Sequence, residues 1–178
     1  MPTSVREHVF TLIIEGRIDD ADVVDALFEA GCDDATFGSI DGVGFGDFHR
    51  RARSFLQAAS TAIRQVDSVP GLQVVRIESE DLVTMAEIAR RLHRSRESIR
   101  LLAADARGRG DFPPPVARIR SRSPLWRWVD VATWAEGALG RADPDAGLIA
   151  SINAALEIRR RRSGLGSRER RFVDALAG

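Results

Sequence analysis

The stretch TMAEIARRLHRSRESIRLLA, residues 84–103, carries the strongest structural signal in this chain. Thr84, followed three residues later by Glu87, has the spacing of a capping box, which satisfies free amides at the start of a helix. Apolar residues at helical spacing follow for about two turns and stop at His93. Ser95 is a favourable N-cap for a second helix. The stretch therefore predicts two short helices joined by a tight turn.

Two short helices that cross at a small residue, here Ala89, describe a helix-turn-helix unit, in which the start of the second helix enters the major groove of double-stranded DNA. Guanidinium groups suit this task because their paired donors match two acceptors at once. The exposed candidates at this position are Arg94, Ser95, Arg96, Glu97, Ser98 and Arg100. The alternative is a solvated helix face, which explains Arg100 equally well when that residue is taken alone.

The residues that follow favour a β-hairpin wing. Residues 112–116, FPPPV, form a stiff extended entry, and residues 117–123, ARIRSRS, alternate small or apolar residues with arginine. Such a hairpin would place positive charge against the phosphates beside the groove. The residues expected to anchor the wing and a third helix in the core are Trp126, Val131 and Trp134. For Trp126 and Trp128, contact with the sugar–phosphate backbone is the alternative.

The stretch TMAEIARRLHRSRESIRLL, then FPPPV, an arginine-rich turn and LWRWVDVATWAEG resembles the excisionase-like branch of the MerR-type winged-helix families over about 55 of the 178 residues. Those families are DNA-binding domains of small regulators, phage-type excision factors and some antitoxins. The resemblance implies that Thr84, Arg94–Ser98 and Arg100 carry helix contacts to DNA. It also implies wing contacts from Arg118, Arg120, Arg122 and Arg127. One departure is His93, because the turn usually has glycine for its left-handed backbone.

The first 80 residues alternate strand and helix patterns. The predicted elements are a strand at 8–15, a helix from Asp19 or Asp20 to about Ala30, strands at 35–40 and 43–49 around an Asp41-Gly42 hairpin turn, a helix at 52–67 and a strand at 72–78. This order, β-α-β-β-α-β, is that of ferredoxin-like domains, which host many functions. Phe45 is expected to point into the core, and the first helix is expected to bury Val23, Val24, Leu27 and Phe28.

Charge divides the chain as well. Residues 1–80 carry a net charge of −7, residues 81–140 carry +4 and residues 141–178 carry +3, while the whole chain is neutral. A basic binding module attached to an acidic partner domain fits this distribution. The predicted α+β architecture is therefore a ferredoxin-like domain over 1–80, a winged helix-turn-helix domain over 81–140 and a C-terminal helical segment over 141–178.

Several functional classes are disfavoured. No apolar run reaches the length of a membrane-spanning helix, and the N-terminus lacks the pattern of a secretory signal. One cysteine, Cys32, fits a reducing compartment, so a cytoplasmic, nucleoid-associated protein is expected. The spacing of His8, Cys32, Asp33, Asp34 and His49 matches no metal-ligand pattern. No metal, cofactor or enzymatic activity is therefore expected.

Two functional hypotheses remain. The first is a sequence-specific transcriptional regulator that binds DNA as a homodimer, because one short reading unit rarely supplies enough base contacts. Its dimer contact would be the N-terminal sheet or the C-terminal helices. The second is an antitoxin-like or phage excision-type factor whose acidic N-terminal domain binds a protein partner. The basic run at 159–162 is either a further phosphate contact or a charged helix end.

Overall fold

The computed structural model describes residues 4–79, 81–109, 111–140 and 143–177. Over these residues the chain is α+β, with a four-stranded antiparallel sheet, a two-stranded pair and seven helices. It divides into two compact units, Met1–Glu78 together with Ser151–Gly178, and Ser79–Ala150. Residues 141–178, expected as a separate segment, are thus shared between the two units. Glu80, at the expected domain boundary, lies outside the described residues.

The first unit contains the predicted β-α-β-β-α-β order. Its elements are β1 (Arg6–Glu15), α1 (Ala21–Glu29), β2 (Ala35–Ile40), β3 (Val43–Ala52), α2 (Phe55–Ser68) and β4 (Gln73–Ile77). The strands are ordered β2-β3-β1-β4, with antiparallel neighbours throughout. The turn between β2 and β3 is the predicted one, since Asp41 and Gly42 both have positive φ, 52° and 79°. The second helix begins later than predicted because Ser54 caps it, its side chain accepting from the Gln57 amide at 3.2 Å.

The core of the first unit lies between one face of the sheet and the helices. Alternate residues of β1 are buried, and Phe10 meets the α2 residue Phe55 with ring centroids 5.5 Å apart. The buried positions of β3 are 44, 46, 48, 50 and 52, so the expectation that Phe45 points inward is wrong. Two of those inward positions are glycines, and a Cβ on Gly46 would lie 2.6 Å from the Phe37 ring. The Phe37 ring of β2 therefore fills the space beside Gly46, where β3 has no apolar side chain of its own.

The expected apolar stripe of α1 is also only partly correct. Leu27 is fully buried, but Val24 is 42% exposed and Phe28 is 66% exposed. A helix of nine residues on the sheet buries a narrow strip, and positions 24 and 28 lie beside it.

The last two helices are α6 (Ala146–Arg162) and α7 (Ser167–Ala177). From residue 151 onward α6 belongs to the first unit and follows the edge of β4. Arg159 pairs with Asp67 at 2.5 Å and donates to the Val74 carbonyl at 2.5 Å, while Arg160 pairs with Glu15 at 3.1 Å. This end of the 159–162 run therefore has intramolecular partners.

The second unit is built around a small apolar core. Its elements are β5 (Leu82–Val83), α3 (Met85–Arg91), α4 (Arg96–Arg109), β6 (Trp126–Arg127), α5 (Trp128–Leu139) and the first residues of α6. The strands β5 and β6 pair antiparallel. The buried core residues are Val83, Ile88, Ala89, Leu92, Ile99, Phe112, Trp126, Val131 and Ala135. Trp126 and Val131 are thus the predicted anchors, and Trp134 packs against the cluster with its ring 4.8 Å from Phe112.

Within the described residues, no helix combines the length and the apolar character that crossing a membrane requires.

Candidate nucleic-acid interface

The turn between α3 and α4 has the geometry of a Schellman motif. His93 adopts φ of +50°, and its amide donates to the Arg90 carbonyl at 3.1 Å. The next amide, of Arg94, reaches back to the Ala89 carbonyl at 2.9 Å. These are the two hydrogen bonds that close such a helix end, with the left-handed residue normally glycine. Histidine therefore occupies the glycine position without breaking the turn.

The start of α3 has the Thr84 half of the predicted capping box. The Thr84 hydroxyl accepts from the Glu87 amide at 3.2 Å. The Glu87 carboxylate, which a capping box would aim at the Thr84 amide, is bonded to Arg90 and Arg91. Hydrogen bonds from these two guanidinium groups lower the pKa of Glu87 to about 2. Thr84 thus fixes the helix start, and its hydroxyl already has a partner.

The N-terminal turns of α4 present the predicted polar residues. Ser95 is the cap, since its hydroxyl accepts from the Ser98 amide at 3.1 Å and its carbonyl from the Ile99 amide. Ile99 is fully buried, which fixes the rotation of the helix. Arg94 and Arg96 are exposed, so their guanidinium groups are available to an anion.

Glu97 and Arg100 form an exposed ion pair on the same helix. The Arg100 guanidinium donates to both carboxylate oxygens, at 2.8 Å and 2.6 Å. These hydrogen bonds lower the pKa of Glu97 and raise that of Arg100. Such an exposed pair contributes little to stability, so either group can exchange its partner easily. Arg100 is therefore neutralised locally, in contrast to Arg96.

Residues 118–124 form a loop, here named the arginine loop, that an antiparallel bridge between Ala117 and Leu125 closes. Arg118 has φ of +50°, and its carbonyl accepts from the Ser121 amide at 2.9 Å. The exposed arginines of the loop are Arg118, Arg120 and Arg122. The pairing of the predicted hairpin wing is thus limited at its tip to a single bridge, and the arginines lie in the turn that this bridge closes.

The strand after the loop connects it to the helices. Arg127 is exposed and lies opposite Leu82 of β5, just before the cap residue Thr84. Trp126 is buried and donates from its indole N–H to the Pro113 carbonyl at 3.1 Å. The loop and α4 therefore share one core, and each brings its own group of arginines.

A cavity beside the α3–α4 turn was not foreseen from the sequence. It has a volume of about 590 Å³ and is lined by Arg91, Leu92, His93, Trp128, Ala132, Asp143 and Pro144. The Arg91 guanidinium lies 4.7 Å from the centre of the Trp128 ring, whose N–H donates to Asp143 at 2.9 Å. Trp128 thus has an intramolecular partner for its one polar atom. Trp128 was the one sequence signal for this cavity. Its partner Asp143 lies 15 residues away, so no local pattern connects the two residues.

Two of the residues considered for a metal site, Cys32 and Asp34, lie beside the buried Arg50. Among the described residues, no group of three or more His, Cys, Asp or Glu side chains is arranged to hold a metal ion. Asp34 accepts two hydrogen bonds of 2.7 Å from the buried Arg50. Cys32 is buried beside them, and its burial raises the pKa of the thiol. This cluster ties the α1–β2 turn to β3.

Comparison of the chain with protein-family models, with curated proteins and with solved structures gave no match.

Proposed function

We propose that this chain binds double-stranded DNA in a sequence-dependent manner and acts as a transcriptional regulator. In this proposal the second unit is a winged helix-turn-helix domain of the excisionase-like MerR type, with α4 in the major groove and the arginine loop as the wing. The first unit, with its βαββαβ order, is a ferredoxin-like domain. Both assignments go beyond the α+β fold; the first rests on the site described above, and the second rests on the strand order of the sheet.

The observation that carries the proposal is a set of exposed arginines without acidic partners. Among the described residues, six such arginines in the second unit form no ion pair; they are Arg94, Arg96, Arg118, Arg120, Arg122 and Arg127. Elsewhere in the same unit, Arg90 and Arg91 pair with Glu87. Uncompensated positive charge on a small folded unit is self-repulsive unless an anion relieves it. A polyanion such as the DNA backbone supplies that relief, and the arginines that bind its phosphates release the cations condensed there.

The position of these charges supports base reading in addition to backbone binding. Arg96 occupies the first residue of α4, which in helix-turn-helix proteins approaches base edges. Arg100 lies about one turn further along, and on DNA it would exchange Glu97 for a guanine edge or a phosphate. Arginines of the loop lack a rigid strand framework and are better suited to phosphates.

Selection from a pool of random duplex DNA by the full chain, followed by sequencing, tests the proposal. We expect an enriched motif whose recovery is lost in Arg96→Ala, whereas Arg118→Ala weakens binding evenly across sequences. The control is Arg17→Ala, which removes an arginine of the first unit that is 87% exposed. Absence of binding at low ionic strength would overturn the proposal.

Salt dependence separates base reading from phosphate contact. Each phosphate contact removed should reduce the slope of log affinity against log salt by about 0.9. Arg118→Ala and Arg120→Ala should each lower the slope, while Arg96→Ala should lower sequence preference more than slope. A steep slope with no enriched motif would leave only backbone binding.

A second candidate function is that of an antitoxin-like or phage excision-type factor with a protein partner. The net charge of −7 over residues 1–80 favours it, because such a surface suits a basic protein. Its test is whether binding at the selected DNA site needs a second, basic protein. Full occupancy by the purified chain alone would favour the regulator.

A further inference from the structure

The sheet of the first unit has a second face, here named the outer face, which points away from the α2 side chains of the core. It carries the odd-numbered residues of β1 and β3, whose register pairs Glu7 with Arg51, Val9 with His49, Thr11 with Asp47 and Ile13 with Phe45. The Thr11 hydroxyl donates to Asp47 at 2.6 Å, so these side chains point to the same side. Val9 is 64% exposed and Val43 is 51% exposed. Val43 is two residues from Phe45 on β3, and Phe45 lies opposite Ile13, so these apolar side chains adjoin on the outer face. Contiguous apolar surface of this kind is a feature of contact surfaces.

We propose that the outer face is the homodimer contact of this chain, with a second copy packed face to face about a twofold axis that runs parallel to the strands. Because the axis lies between β1 and β3, each β1 then lies over the β3 of the second copy. The biological use of this dimer, the presentation of two reading units to paired half-sites, rests on the proposed function. The contact itself does not depend on it.

Charge complementarity is the reason for choosing a second copy as the occupant. In the arrangement described, Glu7 of one copy faces Arg51 of the other, and the reverse pair forms by symmetry. Neither residue has an ion pair among the described residues of its own chain, and both are exposed. At the other end of β1, Glu15 is already paired with Arg160 at 3.1 Å. The outer face thus offers one free acidic and one free basic group at positions that match under the twofold.

The apolar residues follow the same symmetry. Ile13 of one copy lies over Phe45 of the other, and both are half-buried in the single chain. Val9 lies over His49, whose ring provides an apolar body with a polar edge. Two sheet faces that stack in this way pack at about 10 Å, which side chains of this size fill.

Sedimentation equilibrium of the full chain without DNA is the test, using Glu7→Arg and Arg51→Glu. Each variant alone places like charges opposite each other twice across the axis, so we expect its dimer to weaken by about tenfold or more. An equimolar mixture should regain dimer, because the arginine introduced at position 7 then faces the glutamate introduced at position 51, and the native Arg51 faces the native Glu7. An effect of either substitution on the folding of its own chain would not be reversed by mixing, so recovery of the dimer reports on the contact itself. A mixture that stays monomeric overturns the arrangement.

Val9→Glu tests the apolar part of the face, and Phe28→Glu is its matched control. Phe28 is equally exposed, at 66%, but belongs to α1 on the helical side of the sheet. We expect Val9→Glu to abolish the dimer while Phe28→Glu leaves it unchanged, with circular dichroism used to verify that both fold. A wild-type chain that is monomeric at high concentration, or a dimer that survives Val9→Glu, overturns the inference. Dimer without DNA binding would instead refute the proposed function and leave the contact standing.

Discussion

The side-chain amide of Asn153 forms two hydrogen bonds with the backbone of Ile77. Its Oδ1 accepts from the Ile77 amide at 2.7 Å, and its Nδ2 donates to the Ile77 carbonyl at 3.0 Å. The side chain thereby takes the place of a neighbouring strand at the edge of β4. A free strand edge is a template for association with other chains, and a helix that covers it removes that risk.

Replacing Asn153 by leucine should destabilise the first unit by about 1–3 kcal/mol, because the Ile77 amide becomes buried without a partner. The Ile77 carbonyl keeps only the long hydrogen bond from the Arg76 Nε, at 3.4 Å. Chemical denaturation followed by circular dichroism measures this. Asn153→Asp retains the acceptor but sets a carboxylate against the Ile77 carbonyl, so it should be at least as harmful. Ala155→Ser, at an exposed position of the same helix, is the control. Wild-type stability of the leucine variant would show that the two bonds contribute nothing.

This relationship illustrates which parts of the fold the sequence predicts. The elements of the first unit were predictable because each has a local signal, such as Asp41-Gly42 at the hairpin turn. The Asn153–Ile77 pairing has none, because its partners are 76 residues apart and neither residue type specifies the other. The sequence predicts the wrong face for Phe45 because two inward positions of β3 are glycines, which contribute nothing to a hydrophobic pattern.

The candidate site follows the same rule. Ser95 and the turn at His93 were predictable because caps and turns depend on a few adjacent residues. The pairing of Arg100 with Glu97 was not foreseen, since it depends on the rotamers chosen on the finished helix. The cavity beside Trp128 depends on Asp143, which only the folded chain brings near. The sequence therefore predicts caps and turns, which depend on adjacent residues, but it does not predict side-chain partners that only the folded chain brings together.

His93→Gly should stabilise the second unit by up to about 1 kcal/mol, because glycine adopts the left-handed conformation without the steric penalty that a Cβ imposes. The measurement is the shift in the denaturation midpoint at unchanged slope. His93→Val is the opposite control, since a β-branched residue at positive φ is strained and should destabilise. If glycine proves destabilising, the imidazole makes a favourable contact that outweighs the backbone strain.

Glu87→Gln should lower stability at neutral pH but matter little in acid. The hydrogen bonds from Arg90 and Arg91 hold the folded-state pKa of Glu87 at about 2, well below the ordinary 4.5. A depressed pKa adds stability above pH 4.5, and that stability is lost as the pH falls from 4.5 toward 2. The difference between wild type and variant in denaturation experiments should therefore shrink across this window. A difference that stays constant with pH would assign the effect to packing and not to charge.

Under the proposed function, Glu97→Gln should strengthen DNA binding by the full chain. The carboxylate is ionised at neutral pH, since hydrogen bonds from Arg100 lower its pKa, and it repels phosphates while neutralising that arginine. Its removal frees one more cation near the start of α4. The slope of log affinity against log salt should therefore steepen by about 0.9, the effect of one added phosphate contact. Binding isotherms at several salt concentrations measure both effects, with Glu136→Gln, an exposed acid on α5, as the control.

Weaker binding in Glu97→Gln, together with a changed motif, would instead show that Glu97 accepts a hydrogen bond from a base, because carboxylates pair with the cytosine amino group. Arg100 would then act chiefly by orienting Glu97, and Arg100→Ala should reproduce the same loss of preference.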